Sequence, residues 1–491
     1  MSSLKNILKA TSVYTLLGFL PTASRIFLLP VFLIFLTPTD FALIGLNTLI
    51  TNILPIFMTL GLENAFSRFY FDYKAKPQLL KSYLSTLIIF ILCNSILISL
   101  LLLPFGSVLL EYFFKSKEFT FYPFGITAIL SALFASVGSV FINYQRNKQN
   151  LKTYTYYALS IFILSTISET LAIVVFKADA GGVIIAKLVP TAIITSYFVI
   201  RLLIHNGIFF EFRFLRESFK YALPLIPYSA FGLLFLYYDR VLIENKLDLE
   251  SLAVYNVAMS IAHITDSFMF AVQMATYPII YELLKQNSKA NLDKVSQTYR
   301  FIGVIVLFVM SAIIFCSPLG IINFLDAVYL PAIQIIPIIL ISYAFRYLYI
   351  VYVEPLFFFK KTKYLAWLSI FSGTISIIGN IILIPIYGIV GASATSVIAR
   401  IAHFLPAYYY YLKIKTFRFK LDYIFTLIFV TFFISGIIFV FYDYLIKHQA
   451  LLYLISFAPM IFITGFLYNR FLKQTHYKVF KPTSELIKKI F

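Results

Sequence analysis

Three arginines stand inside apolar stretches of the sequence, where a permanent charge is costly. They are Arg25, Arg346 and Arg400. An ionised side chain at mid-bilayer costs about 2.5 to 3.5 kcal/mol on insertion scales, so such residues usually face a water-filled cavity or a charged partner. Arginine keeps its charge in a low dielectric and presents a planar fork of donors to phosphate oxygens. We therefore predict that these residues bind an anion such as a phosphate-bearing headgroup.

Acidic and titratable residues in the same stretches leave other roles open. Glu169 and Asp266 are candidate structural partners for the arginines, and His263 lies three residues before Asp266, on the same helical face. His263 and Asp266 form a local polar contact, relay protons or hold an ion, and Glu169 is a further candidate for ion or proton coupling. Asp239 and Arg240, at the outer end of a predicted span, form either a gate or a structural cap.

Sequence motifs of common catalytic sites are missing. There is no Gly-Lys dipeptide for a phosphate-binding loop, no His-Glu-x-x-His and no Gly-x-Ser-x-Gly. The two cysteines, Cys93 and Cys316, are too few for a disulfide framework or a thiolate metal site. We expect no enzyme activity, no cofactor and no metal.

Composition sets the class of protein. Hydrophobic residues make up 61% of the chain, charged residues 12%, and the mean hydropathy is +0.89. Such a chain needs lipid as its solvent, and its long unbroken apolar runs predict helices rather than barrel strands. The net charge of +19 is spread over many connections, which argues against nucleic acid as a partner and favours contacts with anionic lipid headgroups.

Apolar windows of about 20 residues predict about fourteen transmembrane helices in an all-α polytopic membrane protein. The predicted spans are Val13 to Phe35, Phe41 to Leu62, Tyr83 to Phe105, Pro123 to Asn143, Tyr154 to Phe176, Val183 to His205, Lys220 to Asp239, Ser251 to Gln273, Thr298 to Phe324, Pro331 to Pro355, Leu365 to Tyr387, Gly388 to Tyr411, Leu421 to Asp443 and Gln449 to Phe471. Most lysines and arginines fall on alternate connections and on the C-terminal tail, which predicts that this face and both termini are cytoplasmic.

A weak internal repeat divides the chain. The turn at residues 180–186 resembles the turn at 387–394, and Leu20-Pro21 resembles Leu223-Pro224 at a similar offset. Two copies of six spans insert with the same orientation and would form a cavity at their interface. We predict a first lobe at residues 1–206, a second at 207–415, and two additional helices with a cytoplasmic tail at 416–491.

Three segments carry a resemblance to a known family. Residues 380–395 resemble the signature near the eleventh and twelfth spans of the polysaccharide-exporting branch of the multidrug/oligosaccharidyl-lipid/polysaccharide exporter superfamily. Residues 239–243 with 252–256 resemble its seventh-to-eighth connection, and residues 61–70 resemble the end of its second span. The likeness extends over nearly the whole chain.

The resemblance implies two six-helix lobes in a V-shaped arrangement and alternating access. It further implies a flippase that moves an undecaprenyl-pyrophosphate-linked oligosaccharide from the inner to the outer leaflet of a bacterial inner membrane, for O-antigen (lipopolysaccharide), capsule or exopolysaccharide assembly. Arg25 matches a basic position of the first span in relatives. A polysaccharide polymerase and a chain-length regulator are expected partners.

Three other readings remain open. An ion-coupled drug exporter of the same superfamily would favour acidic and aromatic residues around a cationic substrate, and the central arginines argue against it. A peptidoglycan-precursor flippase is hard to separate by sequence. A membrane glycan polymerase or ligase would carry a long external loop with catalytic residues, whereas the external connections predicted here are short.

Overall fold

The described part of the chain is almost entirely helical. The structure, a computed structural model, describes residues 20, 24, 27–223, 226–286, 289–358, 363–413 and 422–467. Residues cluster into two compact units, one of Leu20–Ala253 and one that begins at Val254. The division into lobes predicted from the repeat stays a prediction.

The first unit contains nine helices among its described residues. They are α1 (residues 27–35), α2 (Pro38–Thr59), α3 (Leu62–Tyr73), α4 (Pro77–Phe113), α5 (Ile126–Asn147), α6 (Leu151–Val174), α7 (Ala180–Asn206), α8 (Phe212–Ala222) and α9 (Ile226–Lys246). A π-helical turn, Phe121–Gly125, precedes α5.

The second unit is built from longer helices. They are α10 (Leu249–Gln286, which begins in the first unit), α11 (Lys289–Phe324), α12 (Ala332–Phe358), α13 (Lys363–Leu412), α14 (Asp422–Val440), α15 (Tyr442–Lys447) and α16 (Gln449–Leu467). A 3₁₀ turn, Ala327–Tyr329, lies between α11 and α12.

The prediction of an all-α polytopic membrane protein is confirmed. Eight helical segments of the described residues are long and apolar enough to cross a bilayer, and every predicted span overlaps a described helix. The eight segments are Pro38–Thr59, Pro77–Phe113, Phe121–Asn147, Leu151–Val174, Ala180–Asn206, Ala290–Phe324, Ala327–Leu356 and Trp367–Leu412. Most of the first predicted span lies outside the described residues.

The seventh predicted span begins and ends too early. Lys220 belongs to the separate amphipathic helix α8, and α9 runs from Ile226 to Lys246. Helix α8 buries Phe214 and Leu215 while Arg213, Arg216 and Lys220 are exposed. A window that averages hydropathy merges such a helix with the apolar span that follows, because the two are separated by only a few residues.

Helix α8 is fixed to the first unit by polar contacts. Tyr73 Oη donates to Glu217 Oε2 at 2.8 Å, and Ser82 Oγ donates to Glu211 Oε1, which immediately precedes the helix, at 2.6 Å. Burial and the hydrogen bond to Glu217 raise the pKa of Tyr73 to about 12, so its phenol stays protonated and able to donate at neutral pH.

The C-terminal end of α9 is tied to the connection after α4. Glu244, which is 2% exposed, accepts the backbone N–H groups of Lys115 at 3.1 Å and Ser116 at 2.6 Å. The neighbouring Asn245 donates its side-chain amide to the carbonyl of Phe113 at 2.6 Å. A buried carboxylate with two amide donors is a strong contact, because each hydrogen bond to a charged group contributes about 1.5 to 3 kcal/mol.

Helix α13 contains two predicted spans joined by a sharp bend. Gly388 at the bend has φ 60° and ψ −139°, a backbone conformation that favours glycine. Three residues later, a Cβ on Gly391 would overlap the backbone carbonyl of Leu383. The glycines of this motif therefore allow the two halves of α13 to fold closely against each other at the bend.

Candidate functional site: a charged cluster in the second unit

An arginine and an aspartate from two apolar helices meet inside the second unit. Arg346 Nε of α12 lies 2.5 Å from Asp266 Oδ1 of α10, and the side chains are 30% and 20% exposed. The two atoms lack hydrogen-bond alignment, so the contact is an ion pair held by charge. The pair identifies Asp266 as the carboxylate partner of Arg346.

His263 extends this pair by one helical turn of α10. Its Nδ1 lies 3.8 Å from Asp266 Oδ2, as the i,i+3 spacing predicts. Its ring also lies 6.0 Å, centroid to centroid, from that of Tyr343 on α12. Asp266 therefore faces two groups that carry or can acquire positive charge.

Helix α13 contributes a second arginine and a second histidine. Arg400 is close enough to Arg346 and Asp266 for their charges to interact, and both arginines interact electrostatically with His403. The His403 ring stacks on Tyr349 of α12, with ring centroids 3.9 Å apart and planes at 27°. We call this set the charged cluster: His263, Asp266, Arg346, Arg400 and His403.

The charged cluster carries more positive than negative charge. Its members include two permanently cationic arginines and one aspartate, which pairs with Arg346, while the histidines add charge only when protonated. Two guanidinium groups held near each other repel, and that repulsion is relieved by an anion. The arrangement therefore suits a ligand with two negative charges close together.

The sequence had pointed to four members of the cluster but not to the fifth. His403 lies three residues after Arg400 on the same helical face, which was a usable signal. Glu354 was also missed; it is 1% exposed on α12 and accepts a hydrogen bond from the hydroxyl of Tyr299. This contact lies near one end of α12 and is a local polar contact between two helices.

The remaining candidates lie elsewhere. Arg25 lies outside the described residues. Glu169 is 4% exposed on α6, and one turn before it Thr166 Oγ1 lies 2.8 Å from Oγ of Ser24. The role of Arg25 in anion binding therefore remains a prediction, as does the role of Glu169 in ion or proton coupling.

Asp239 and Arg240 form a local arrangement within α9. Arg240 Nη1 lies 3.2 Å from Asp239 Oδ1 and donates to the carbonyl of Leu236 at 2.6 Å. The guanidinium also lies over the ring of Tyr237, 5.2 Å from its centroid. The helix continues to Lys246, so the pair sits within α9 and not at its end. The contacts suit a structural pair, and the gate remains a prediction.

The described part of the chain contains no candidate metal-binding site. No group of three or more His, Cys, Asp or Glu residues is placed to hold a metal ion there. The charged cluster contains one carboxylate and two arginines, a set that repels cations.

A family profile described as "Polysaccharide biosynthesis protein" matches residues 7–284, more than half of the sequence. The chain belongs to this polysaccharide biosynthesis family. Membership agrees with the polysaccharide-exporting branch to which residues 380–395 point.

Two curated relatives of this chain are described as uncharacterized membrane proteins. An uncharacterized membrane protein of Haemophilus influenzae is 23% identical over 307 residues, covering 58% of this chain and 72% of the relative. One of Methanocaldococcus jannaschii is 23% identical over 365 residues, covering 70% of this chain and 72% of the relative. Both descriptions agree with a membrane protein.

Solved structures show the same fold at low identity. An inward-facing multidrug resistance MATE family transporter of the MOP superfamily aligns with a TM-score of 0.64 and 13% identity, covering 84% of this chain and 99% of that one. The lipid II flippase MurJ, in an inward closed conformation, aligns with a TM-score of 0.64 and 16% identity, covering 93% and 99%. This chain therefore has a MATE- and MurJ-like transporter fold.

Proposed function

We propose that this protein is a flippase that moves an undecaprenyl-pyrophosphate-linked oligosaccharide from the cytoplasmic to the outer leaflet of a bacterial inner membrane by alternating access. The observation that carries the proposal is the charged cluster: Arg346 and Arg400 are gathered with the single carboxylate of Asp266 inside apolar helices. Membership of a polysaccharide biosynthesis family and the transporter fold support it.

The substrate class follows from what the cluster stabilises. A diphosphate presents adjacent charged oxygens, and guanidinium forks bind such oxygens with paired, directional hydrogen bonds. The polyprenyl tail can remain in lipid while the diphosphate and the glycan need a polar route. A protein of this kind needs a polar groove and a switch between two openings, with no covalent chemistry.

Asp266 has a defined part in this proposal. It neutralises Arg346 when no substrate is present, which lowers the cost of a charge in an apolar helix. An arriving diphosphate competes with Asp266 for the same guanidinium. His263 contacts the other carboxylate oxygen of Asp266, so a protonated His263 would stabilise this carboxylate after the substrate displaces it from Arg346. We propose that protonation of His263 couples transport to protons.

A cation-coupled drug exporter fits this cluster less well. Such a protein would bind cationic drugs, and two neighbouring guanidinium groups repel them. A peptidoglycan-precursor flippase would also carry a diphosphate, so the glycan distinguishes it from the proposed O-antigen, capsule or exopolysaccharide carrier. In the proposed pathway class, the flipped repeat unit passes to a polymerase with its chain-length regulator.

Deletion of the gene followed by leaflet-resolved analysis of lipid-linked oligosaccharide tests the proposal. We expect carrier-linked repeat units to accumulate on the cytoplasmic leaflet and to return to the outer leaflet when the wild-type gene is restored. Repeat units that still reach the outside at the normal rate would overturn the function. If peptidoglycan precursor accumulates instead, the diphosphate site stands and the proposed glycan is wrong.

A further inference from the structure

A cleft with both apolar and polar residues in its wall lies wholly within the first unit. Its volume is about 150 Å³, room for about five water molecules. It lies between the C-terminal end of α2, the turn into α3, the middle of α5 and the start of α9. Six polar residues contribute to its wall: Asn52, Thr59, Glu63, Ser136, Ser139 and Ser229.

Glu63 has spare hydrogen-bonding capacity in this cleft. Its Oε1 accepts from the side-chain amide of Asn64 at 3.1 Å. Its Oε2 is buried and has no hydrogen-bond partner among the described residues. A buried carboxylate oxygen without a donor is costly, so this atom is suited to accept from a ligand.

The neighbouring side chains are also left as acceptors. Ser136 Oγ donates to the carbonyl of Ala132 at 2.7 Å, and Ser139 Oγ donates to that of Ser136 at 2.7 Å. Asn52 donates one N–H of its Nδ2 to Tyr237 Oη at 3.0 Å, which leaves its amide oxygen and one further N–H. Since a hydroxyl has one hydrogen and two lone pairs, these serines present oxygens that accept but do not donate.

An acceptor-rich wall selects the chemistry of its ligand. An ionised diphosphate is itself only an acceptor and would be repelled by Glu63. Among the residues that the structure describes, no lysine or arginine contributes to the cleft wall. The volume exceeds that of a bare ion, and the six polar residues of the wall belong to four helices, α2, α3, α5 and α9. A sugar ring with several hydroxyl donors fits the volume of the cleft and matches the oxygen acceptors in its wall.

We infer that this cleft is a sugar subsite, which binds the hydroxyl groups of one residue of the glycan. The inference rests on the proposed function, because the bound sugar is taken to belong to the transported oligosaccharide. Its hydroxyls donate to Glu63 Oε2 and to the oxygens of Ser136, Ser139 and Asn52. The cleft offers acceptors to neutral hydroxyl groups, a chemistry different from that of the cationic cluster.

Saturation-transfer NMR on the full chain in lipid nanodiscs tests the subsite, with neutral hexoses, deoxyhexoses and N-acetylhexosamines as free probes. We expect saturable transfer to at least one sugar, weakened about 5- to 10-fold in Glu63→Gln and in Ser139→Ala, because each loses about 1 to 1.5 kcal/mol of hydrogen bonding. Asp72→Asn is the matched control: this carboxylate is exposed on α3 and paired with Arg68 at 2.9 Å. It should leave transfer unchanged.

Melting temperatures identify any variant that fails to fold, and Ser229→Ala then replaces it. Absence of saturable transfer from every probe would overturn the subsite, as would equal transfer by wild type and Glu63→Gln. A saturable sodium NMR signal that is lost in Glu63→Gln, without any sugar signal, would assign the cleft to a cation and also overturn it. Sugar binding in a protein whose deletion leaves glycan export normal would refute only the proposed function.

Discussion

The carboxylate of Asp266 lies 2.5 Å from the guanidinium of Arg346 and joins α10 to α12 within one compact unit. This contact explains how a permanent charge is accommodated in an apolar helix without a substrate. Arg400 also interacts electrostatically with Arg346 and Asp266. In the proposed mechanism, an incoming diphosphate competes with Asp266 for Arg346.

Removing the internal anion should strengthen anion binding. In Asp266→Asn the carboxylate no longer competes for Arg346 or repels an incoming diphosphate. We expect pyrophosphate to bind on the order of tenfold more tightly to the variant in nanodiscs. Translocation should slow, since release of the substrate loses its competitor. Isothermal titration measures the affinity and a leaflet-resolved assay measures the rate.

Glu250→Gln is a suitable control for that experiment, because Glu250 is an exposed carboxylate in the first turn of α10. Unchanged or weaker pyrophosphate binding in Asp266→Asn, with the melting temperature preserved, would contradict the role of Asp266 as a competing counter-ion.

The bend of α13 should not tolerate a side chain at Gly391. In Gly391→Ala the new methyl group overlaps the carbonyl of Leu383, so the two helical halves must separate. We expect a loss of about 1 to 3 kcal/mol and a lower melting temperature. Gly436→Ala in α14 is the matched control, because a Cβ there meets nothing within 4 Å. It should be neutral or stabilising by about 1 kcal/mol. Equal melting temperatures for the two variants would show that the bend is loosely packed.

Glu244 should hold the connection after α4 against α9. In Glu244→Ala the amides of Lys115 and Ser116 lose their buried acceptor. We expect hydrogen exchange at these two amides to accelerate about tenfold or more, because local opening becomes less costly. Mass spectrometry of the peptide that spans them provides the measurement, with Glu111→Ala as an exposed control on α4. Unchanged protection would mean that other contacts fix this connection.

Arg25 remains a prediction from sequence. We expect Arg25→Ala to abolish export of the glycan while membrane abundance stays normal, because the resemblance places it among the basic residues that receive the diphosphate. Export assays with immunoblotting of the membrane fraction separate the two effects. Retained export would remove Arg25 from the mechanism and leave the charged cluster of the second unit unaffected.

Spans were predictable because unbroken apolar length is a local property of the sequence. Helix α8 was not recognised as a separate helix because it is short and amphipathic, and a hydropathy window merges its end with the apolar span that follows, although Phe214 is fully buried. The bend at Gly388 was visible in the glycine motif, whereas the closeness of Gly391 to Leu383 depends on how two helical halves pack.

For the site, sequence placed Arg346, Arg400, His263 and Asp266 in apolar stretches and paired His263 with Asp266 by helical spacing. It named Asp266 as one candidate partner of the arginines without deciding which arginine. The stacking of His403 on Tyr349 joins α12 and α13, and no local pattern specifies such a contact. The acceptor-rich cleft around Glu63 was likewise invisible, because it depends on which serine hydrogens are already donated to backbone carbonyls.

Binding of undecaprenyl pyrophosphate to purified protein in nanodiscs tests the central claim most directly, with Arg346→Gln and Arg400→Gln beside Arg201→Gln, an exposed arginine of α7 that contacts Tyr197. If the charged cluster receives the diphosphate, each cluster variant binds about 10- to 100-fold more weakly, since a charge-assisted hydrogen bond contributes about 1.5 to 3 kcal/mol. Arg201→Gln then binds like the wild type. Equal affinities for all four proteins, at equal melting temperatures, would contradict the account.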